Sequence, residues 1–233
     1  MRNIVILGFA LAMLLTSCDT QNLKRGTQYK MMYEEKPLSI VVMPPINQTN
    51  FVEAKDYFYT TMYKPLCEKG YYVYSPYMVM DMFQAESAYD SELFLEGDLT
   101  AFRNVLGADA AMFTIIKTWS KNAIGGGITV DIEYVLRSTK TGNTIYHREG
   151  RITLDTSVSS GTGGALGALV SVAATAINTA ATDKIEAGRA CNEFVLRDMP
   201  EGKYGVHFNM DQDFFADKPF VVGSVRAQES KPL

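Results

Sequence analysis

The sequence is poor in the residues that build metal centres and redox sites. Only two histidines and three cysteines occur among its 233 residues, and no pair of cysteines has the Cys-x-x-Cys spacing. His147 and His207 lack a partner at the spacing that protein zinc sites use. The sequence therefore predicts no metal site and no bound cofactor.

Positive charge is also limited. The chain has 22 lysines and arginines against 26 acidic residues, which gives a formal net charge of −4. Affinity for nucleic-acid phosphates comes from clustered lysine and arginine, and the sequence has no such cluster. We therefore expect no nucleic-acid partner.

Recognisable catalytic motifs are missing as well. The serine-hydrolase motif G-x-S-x-G does not occur. His147 falls in a strand pattern where a surface histidine is commonplace, and Asp211 with Asp213 is predicted to lie in a solvated loop. A non-enzymatic protein is therefore predicted, with an envelope hydrolase as one alternative.

A glycine-rich stretch at 157–167 resembles a phosphate-binding turn only superficially. Its glycines lie at Gly161, Gly163, Gly164 and Gly167, whereas the dinucleotide fingerprint needs G-x-G-x-x-G between a parallel strand and a helix. The strand predicted before this stretch belongs to a hairpin. A loop without a nucleotide is the simpler interpretation.

The N-terminus has the layout of a secretory signal peptide. Arg2 precedes an apolar segment from Ile4 to Leu15, which is shorter than the roughly 20 residues of a membrane-spanning helix. The stretch from Leu15 to Cys18, Leu-Thr-Ser-Cys, resembles the bacterial lipobox, in which the cysteine is acylated and becomes the new N-terminus. We expect residues 1–17 to be removed and Cys18 to carry the lipid; an ordinary signal peptide before a chance cysteine is the alternative.

The rest of the chain is expected to form one anchored domain. Residues 18–36 are polar and without apolar periodicity, so they are predicted to be a flexible leash, followed by a domain at 37–223 and a tail at 224–233. Several acyl chains hold a protein on a membrane almost permanently. An outer-membrane position facing the periplasm is predicted. Because of Asp19, the inner membrane is one alternative location, and the cell surface is another.

Two further cysteines leave their pairing open. Cys67 and Cys191 are more than a hundred residues apart in the sequence. An oxidising envelope compartment permits a disulfide between them; the alternative is two separate buried thiols, because spacing alone does not show that the cysteines meet.

The hydrophobic pattern predicts alternating strands and helices. Predicted strands lie at 38–43, 71–74, 110–119, 128–137 and 144–155, and predicted helices at 50–70, 77–84, 98–106 and 164–187. The first strand, helix and second strand form a βαβ unit. Alternation from Ile128 to Leu136 indicates a half-buried strand. A turn at Thr139–Asn143 connects it to the strand predicted at 144–155, so the two strands form an antiparallel hairpin.

Several motifs together resemble a known family. They are the lipobox, Ser39–Pro45, Leu106–Ala111 with Ile115–Trp119, and Arg197–Tyr204. They resemble the bacterial lipoproteins catalogued as domain of unknown function 799. The resemblance implies an α/β fold with a mixed central sheet flanked by helices, similar to the TolB N-terminal domain and to the body of the curli-secretion channel lipoprotein. It also implies an envelope role beside other lipoproteins and no reaction.

The predicted function is that of a membrane-anchored, protein-binding component of an envelope assembly. Its partners would be the membrane, other lipoproteins or a secretion assembly, and a homo-oligomer is possible. A small-ligand carrier using side chains between Tyr71 and Phe83 is a second alternative. The candidate contact residues are Phe208, Phe214, Phe215 and Phe220, although burial in the core is expected for each.

Overall fold

Seven strands form one mixed β-sheet in a computed structural model, which describes residues 23–86, 90–121, 127–155 and 182–226. The strands are β1 Ser39–Val42, β2 Ile46–Asn47, β3 Tyr72–Val73, β4 Ala110–Lys121, β5 Gly127–Ser138, β6 Thr144–Asp155 and β7 Phe220–Arg226. Their order is β3-β1-β4-β5-β6-β7, and β2 also pairs with β4. The predicted mixed α/β fold is thus confirmed.

Helices cover both faces of this sheet. They are α1 Arg25–Gln28, α2 Lys30–Glu35, α3 Ala54–Tyr59, α4 Tyr63–Glu68, α5 Pro76–Ala85, α6 Glu92–Leu95, α7 Thr100–Leu106 and α8 Thr182–Val195, and the 3₁₀ turn Leu196–Asp198 follows α8. Cys18, the glycine-rich stretch and most of the helix predicted at 164–187 lie outside the described residues. The described part of that helix continues to Val195, eight residues past its predicted end.

The first strand forms where the sequence is most consistently β-branched. Ile40, Val41 and Val42 are fully buried, as expected for a strand covered on both faces. This strand pairs in parallel with β3 and with β4, so the predicted βαβ unit is confirmed. The single helix predicted between these strands is instead two short helices, α3 and α4, separated at residues 60–62.

The long hairpin lies where the alternation predicted it. Register pairs Ile132 of β5 with Ile116 of β4 and Gly150 of β6. All five inward residues predicted from Ile128 to Leu136 are buried. The expectation of a half-buried strand was wrong, because Asp131, Val135 and Arg137 on the opposite face are buried too.

Alternating side chains divide the core into two layers. One face carries Ile40, Val42 and Ile132, and it packs against side chains from α2, α3 and α8. The other face carries Val41, Met43 and Phe113, and it packs against α5 and α7. The sheet therefore separates the layer with the N-terminal helices from the layer with α5, α6 and α7.

The flexible leash predicted at 18–36 is wrong for its second half. Residues 25–28 and 30–35 form α1 and α2, and the side chains of Tyr29 and Met32 are buried in the core. Sequence periodicity missed these helices because each is shorter than two turns, which leaves too few positions to show a 3.6-residue period. Within the described residues, the folded body already begins near Leu23.

Candidate functional site

An apolar pocket opens on the layer formed by α5, α6 and α7. It has a volume of about 510 Å³, within the usual range for small-molecule and side-chain pockets. Its lining consists of Met82, Phe83, Ala85, Glu86, Phe94, Ala101, Phe102, Val105 and Leu106. Glu86 is the single charged residue of this set, so the pocket is suited to apolar groups.

Aromatic side chains build the floor of the pocket. The Phe102 ring meets the Phe83 ring edge-on, with ring centroids 5.6 Å apart. The Phe94 ring approaches Phe102 in the same way at 5.1 Å. Edge-to-face packing of this kind fixes ring positions, so α5, α6 and α7 are held to one another.

Arg137, a residue of β5, holds the end of α6 against the sheet. Its side chain is nearly buried, and Nη1 donates to the carbonyl oxygens of Phe94 at 2.9 Å, Leu95 at 2.8 Å and Gly97 at 3.0 Å. Carbonyls at the end of a helix have no partner inside the helix and attract a cation. The far side of the same guanidinium donates to Gly142 in the hairpin turn.

The end of α7 is fixed in a similar way. The Tyr74 hydroxyl donates to the Leu106 carbonyl at 2.6 Å. Gly107 follows with φ 71°, the left-handed conformation in which glycine commonly ends a helix. The pocket wall is therefore attached at α6 and at α7 to the sheet side of the molecule.

Two of the apolar side chains that line this pocket face solvent: Val105 is 73% exposed and Met82 is 39% exposed. Tyr77 and Met78 of α5 and Leu93 of α6, which belong to helices that line the pocket, are exposed as well. Exposed apolar surface commonly marks an interaction site. As a small-ligand carrier, the protein was predicted to use side chains between Tyr71 and Phe83. Two residues at the end of that stretch, Met82 and Phe83, line the pocket.

Each histidine is bonded to a glutamate. His147 lies 2.7 Å from Glu133, which also binds Lys117 at 2.9 Å, and His207 lies 2.9 Å from Glu201. Partial burial opposes ionisation of Glu133, yet hydrogen bonds from Lys117 and His147 hold its pKa below the ordinary value. Within the described part of the chain, no hydroxyl or thiol nucleophile bonds to either imidazole.

The solvated loop predicted for Asp211 and Asp213 is wrong for Asp211. This carboxylate is completely buried. It accepts hydrogen bonds from Arg25 at 3.1 Å and from the Tyr33 hydroxyl at 3.0 Å. Asp213 is exposed and pairs with Lys24 at 2.6 Å.

A second buried carboxylate, Asp198, lies close by. It pairs with Arg148, which is fully buried, and it accepts the Tyr29 hydroxyl at 2.7 Å and the Asp217 amide at 2.8 Å. Burial, followed by the charge of Asp198, raises the pKa of Tyr29. These bonds join β6, the N-terminal helices and the C-terminal segment, so the cluster has a structural role.

Sequence analysis missed this buried cluster, although one signal was present. Tyr146 and Ile152 of β6 point into the core, and strand alternation places Arg148 on the same inward face. A charged residue at an inward position requires a buried partner. The sequence does not show which of its acidic residues supplies that partner.

The two cysteines whose pairing the sequence left open are not bonded to each other. Cys67 and Cys191 are both free thiols, so the alternative of separate thiols is the one found. Cys191 is fully buried and lies 3.4 Å from the Tyr134 hydroxyl. Burial raises the pKa of Cys191 to about 12, so at neutral pH it is an unreactive thiol.

The burial expected for the C-terminal phenylalanines is also wrong. Phe214, Phe215 and Phe220 are all exposed, and Phe208 is only partly buried. Phe214 and Phe215 belong to a set of exposed apolar residues that we name the C-terminal patch: Leu23, Tyr204, Val206, Met210, Phe214 and Phe215.

The described residues contain neither a candidate metal site nor a helix that could cross a membrane. No group of His, Cys, Asp and Glu side chains there could hold a metal ion. In the same residues, none of the helices combines the length and the apolar character that crossing a membrane requires.

Comparison with known proteins identifies the family. The family model described as "Putative lipoprotein GNA1162-like" matches residues 27–202. A lipoprotein of Neisseria meningitidis serogroup B, NMB1124/NMB1162, is 26% identical over 187 residues, which are 77% of this chain and 83% of the relative. The family match begins inside α1, in agreement with a folded body that starts before residue 37.

Two solved structures are similar at low sequence identity. The crystal structure of lipoprotein GNA1162 from Neisseria meningitidis is 22% identical and has a TM-score of 0.44, covering 62% of this chain and 99% of that one. A PelC dodecamer from Paraburkholderia phytofirmans is 14% identical with a TM-score of 0.35, covering 66% and 88%. The family match confirms the lipoprotein resemblance found in the sequence, and this chain belongs to the GNA1162-like family of lipoproteins, which makes it a membrane-anchored protein of the cell envelope.

Proposed function

We propose that the mature protein is held in the outer membrane by acylated Cys18, faces the periplasm, and binds other envelope proteins through the pocket of α5, α6 and α7. It acts without catalysis, as a component of an assembly linked to secretion or surface biogenesis. The observation that carries the proposal is the apolar pocket with its exposed rim. Membership of a lipoprotein family supports the anchor.

The position of the pocket suits a tethered binding protein. The N-terminal helices pack on one face of the sheet, and the pocket lies on the other. A partner can therefore reach the pocket while the tether holds the opposite layer near the membrane. Anchoring raises the effective concentration beside other membrane-bound components, so modest contacts suffice.

The anchor is tested at Cys18. Cys18→Ala removes the thiol that would carry the lipid, so we expect the protein to lose acylation and cleavage together and to retain residues 1–17. Mass spectrometry of the unsubstituted protein should show an N-terminus at Cys18 bearing acyl chains, and density-gradient fractionation should place it with the outer membrane. An unsubstituted protein whose N-terminus is unacylated or lies at another residue contradicts the anchor, and its recovery with the inner membrane contradicts the location.

The pocket is tested by photo-crosslinking in cells. A photoreactive amino acid replaces Val105 at the pocket rim, and the matched control replaces Val52, which is equally exposed at 79% but lies outside the pocket lining. We expect Val105 to capture one or a few envelope proteins and Val52 to capture none of them. Adding Ala101→Asp should lower the yield about tenfold or more, because a charge in an apolar contact costs over 1.4 kcal/mol.

Other outcomes would favour the alternatives. Equal capture from Val105 and Val52 contradicts a pocket-directed interface. A small molecule that co-purifies with the protein and is lost with Ala101→Asp, without any protein crosslink, favours a ligand carrier. Turnover of an envelope substrate by monomeric protein favours a hydrolase.

A further inference from the structure

We propose that the C-terminal patch rests on the lipid bilayer and orients the body on the membrane. This inference goes beyond the proposed function and rests on its anchor at Cys18. It depends on three observations: the exposed aromatic residues, their hydrogen bonds to the start of the described chain, and the short length of chain that separates this start from Cys18.

The patch is attached directly to the N-terminal segment. The Arg25 amide donates to the Phe214 carbonyl at 2.8 Å, and the Ala216 amide donates to the Leu23 carbonyl at 2.7 Å. Lys24 and Phe215 form an antiparallel bridge. Residues 23–25, where the described chain begins, are therefore paired with the backbone that carries the two exposed phenylalanines and cannot move away from it without breaking these bonds.

Hydrogen bonds to a buried carboxylate hold the backbone beneath the patch in place. Buried Asp211 accepts hydrogen bonds from Arg25, Tyr33 and the Glu201 amide. The His207 and Phe214 rings lie 6.0 Å apart, which places the 204–210 part of the patch beside the 214–215 part. The patch is thus a supported surface of the body.

The length of the tether decides what this surface faces. Four residues separate Cys18 from Leu23, and a fully extended chain spans at most about 3.6 Å per residue, so the two Cα atoms lie within about 18 Å of each other. A domain of this size is roughly 40 Å across. With the acyl chains in the bilayer, the face that bears Leu23 must be turned toward the membrane.

The chemistry of the patch fits a membrane interface. Aromatic and aliphatic side chains bind at the level of the lipid headgroups, and neighbouring lysines and arginines attract anionic lipids. Phe214, Phe215 and Met210 supply the apolar part. Lys203 and Lys218, both exposed, lie on either side of the patch in the sequence, and the Arg25 guanidinium lies 5.5 Å from the centroid of the Phe214 ring.

Tryptophan reporters test the bilayer contact. Phe215→Trp places a reporter in the patch, where the original side chain is 67% exposed, and Tyr77→Trp places one on the opposite layer at 77% exposure. Lipidated full-length protein is incorporated into vesicles of phosphatidylethanolamine and phosphatidylglycerol, with or without bromine on the acyl chains. The signal of Trp119, the one native tryptophan, is measured in unsubstituted protein and subtracted.

The expected result is selective quenching. Brominated lipid should quench Phe215→Trp at least about twofold more than Tyr77→Trp, with a blue-shifted emission maximum, because only the patch enters the interfacial region. Met210→Trp, a second patch position, should follow Phe215→Trp. Equal quenching at residues 215 and 77 would overturn the proposal. Protection of residue 215 from aqueous acrylamide without quenching by lipid would also overturn it, since a protein would then cover the patch.

Failure of the anchor and failure of the patch remain distinguishable. Intact-mass measurement on the same sample shows whether Cys18 is acylated. If it is not, the anchor proposal fails, and the patch is tested on protein beginning at residue 18 with Cys67→Ser, in which a maleimide lipid on Cys18 supplies the tether. Selective quenching at residue 215 in that form still supports the patch, and its absence overturns it.

Discussion

Ile132→Asp is expected to prevent the domain from folding. Ile132 is fully buried in β5, between Ile116 of β4 and Gly150 of β6. A carboxylate there loses its hydration without gaining a partner, which costs several kcal/mol, against a total stability of about 5–15 kcal/mol for ordinary domains. Circular dichroism during heating of an unlipidated form without residues 1–18 measures the effect.

A conservative substitution at the same position is the control. Ile132→Val removes one methylene and should cost about 1 kcal/mol, leaving a cooperative transition. A cooperative transition of Ile132→Asp at the temperature of the unsubstituted protein would show that the inward face of β5 has been assigned wrongly.

Arg148→Met is expected to destabilise the folded state by about 3–5 kcal/mol, the usual cost of removing one partner from a buried ion pair. Methionine fills much of the arginine volume, so the main effect is the buried charge left on Asp198. That carboxylate keeps only the Tyr29 hydroxyl and the Asp217 amide among its described hydrogen-bond donors. Urea unfolding measures the free-energy change.

Two further variants separate the ion pair from simple loss of packing. Arg189→Met breaks an exposed pair with Glu186 and should change stability by less than about 0.5 kcal/mol. Combining Arg148→Met with Asp198→Asn removes both charges, so the double variant should lose less than the sum of the single losses. Strict additivity would contradict a coupled pair.

The features that sequence alone predicted depend on neighbouring residues in the chain. The buried run around Ile40, the strand through Ile132 and the helix end at Gly107 are each set by local pattern, and the structure has all three. The lipoprotein family was also recognisable from short motifs such as Ser39–Pro45.

The features that only the tertiary structure decided depend on residues far apart in the chain. Asp198 and Asp211 look like ordinary loop carboxylates in the sequence, and their burial follows from the position of α1 and α2, about 170 to 190 residues earlier. Those helices are too short to be stable alone, so packing creates them.

Close packing between helix and sheet explains why position 150 is a glycine, which the local sequence pattern does not. A Cβ atom on Gly150 would lie 2.1 Å from Cγ2 of Val195 in α8, so this glycine allows the helix to approach the sheet. From the local sequence alone, the expected effect of Gly150 is only to weaken the strand.

The sequence by itself determined the strand pattern and the mixed α/β class, since these follow from local composition and period, and the resemblance of its motifs indicated the lipoprotein family. Only the tertiary structure decided that the N-terminal segment belongs to the body, that Cys67 and Cys191 are separate, and that the C-terminal phenylalanines face outward. Such outcomes depend on which distant surfaces meet, because burial is a property of the packed chain and not of a residue type.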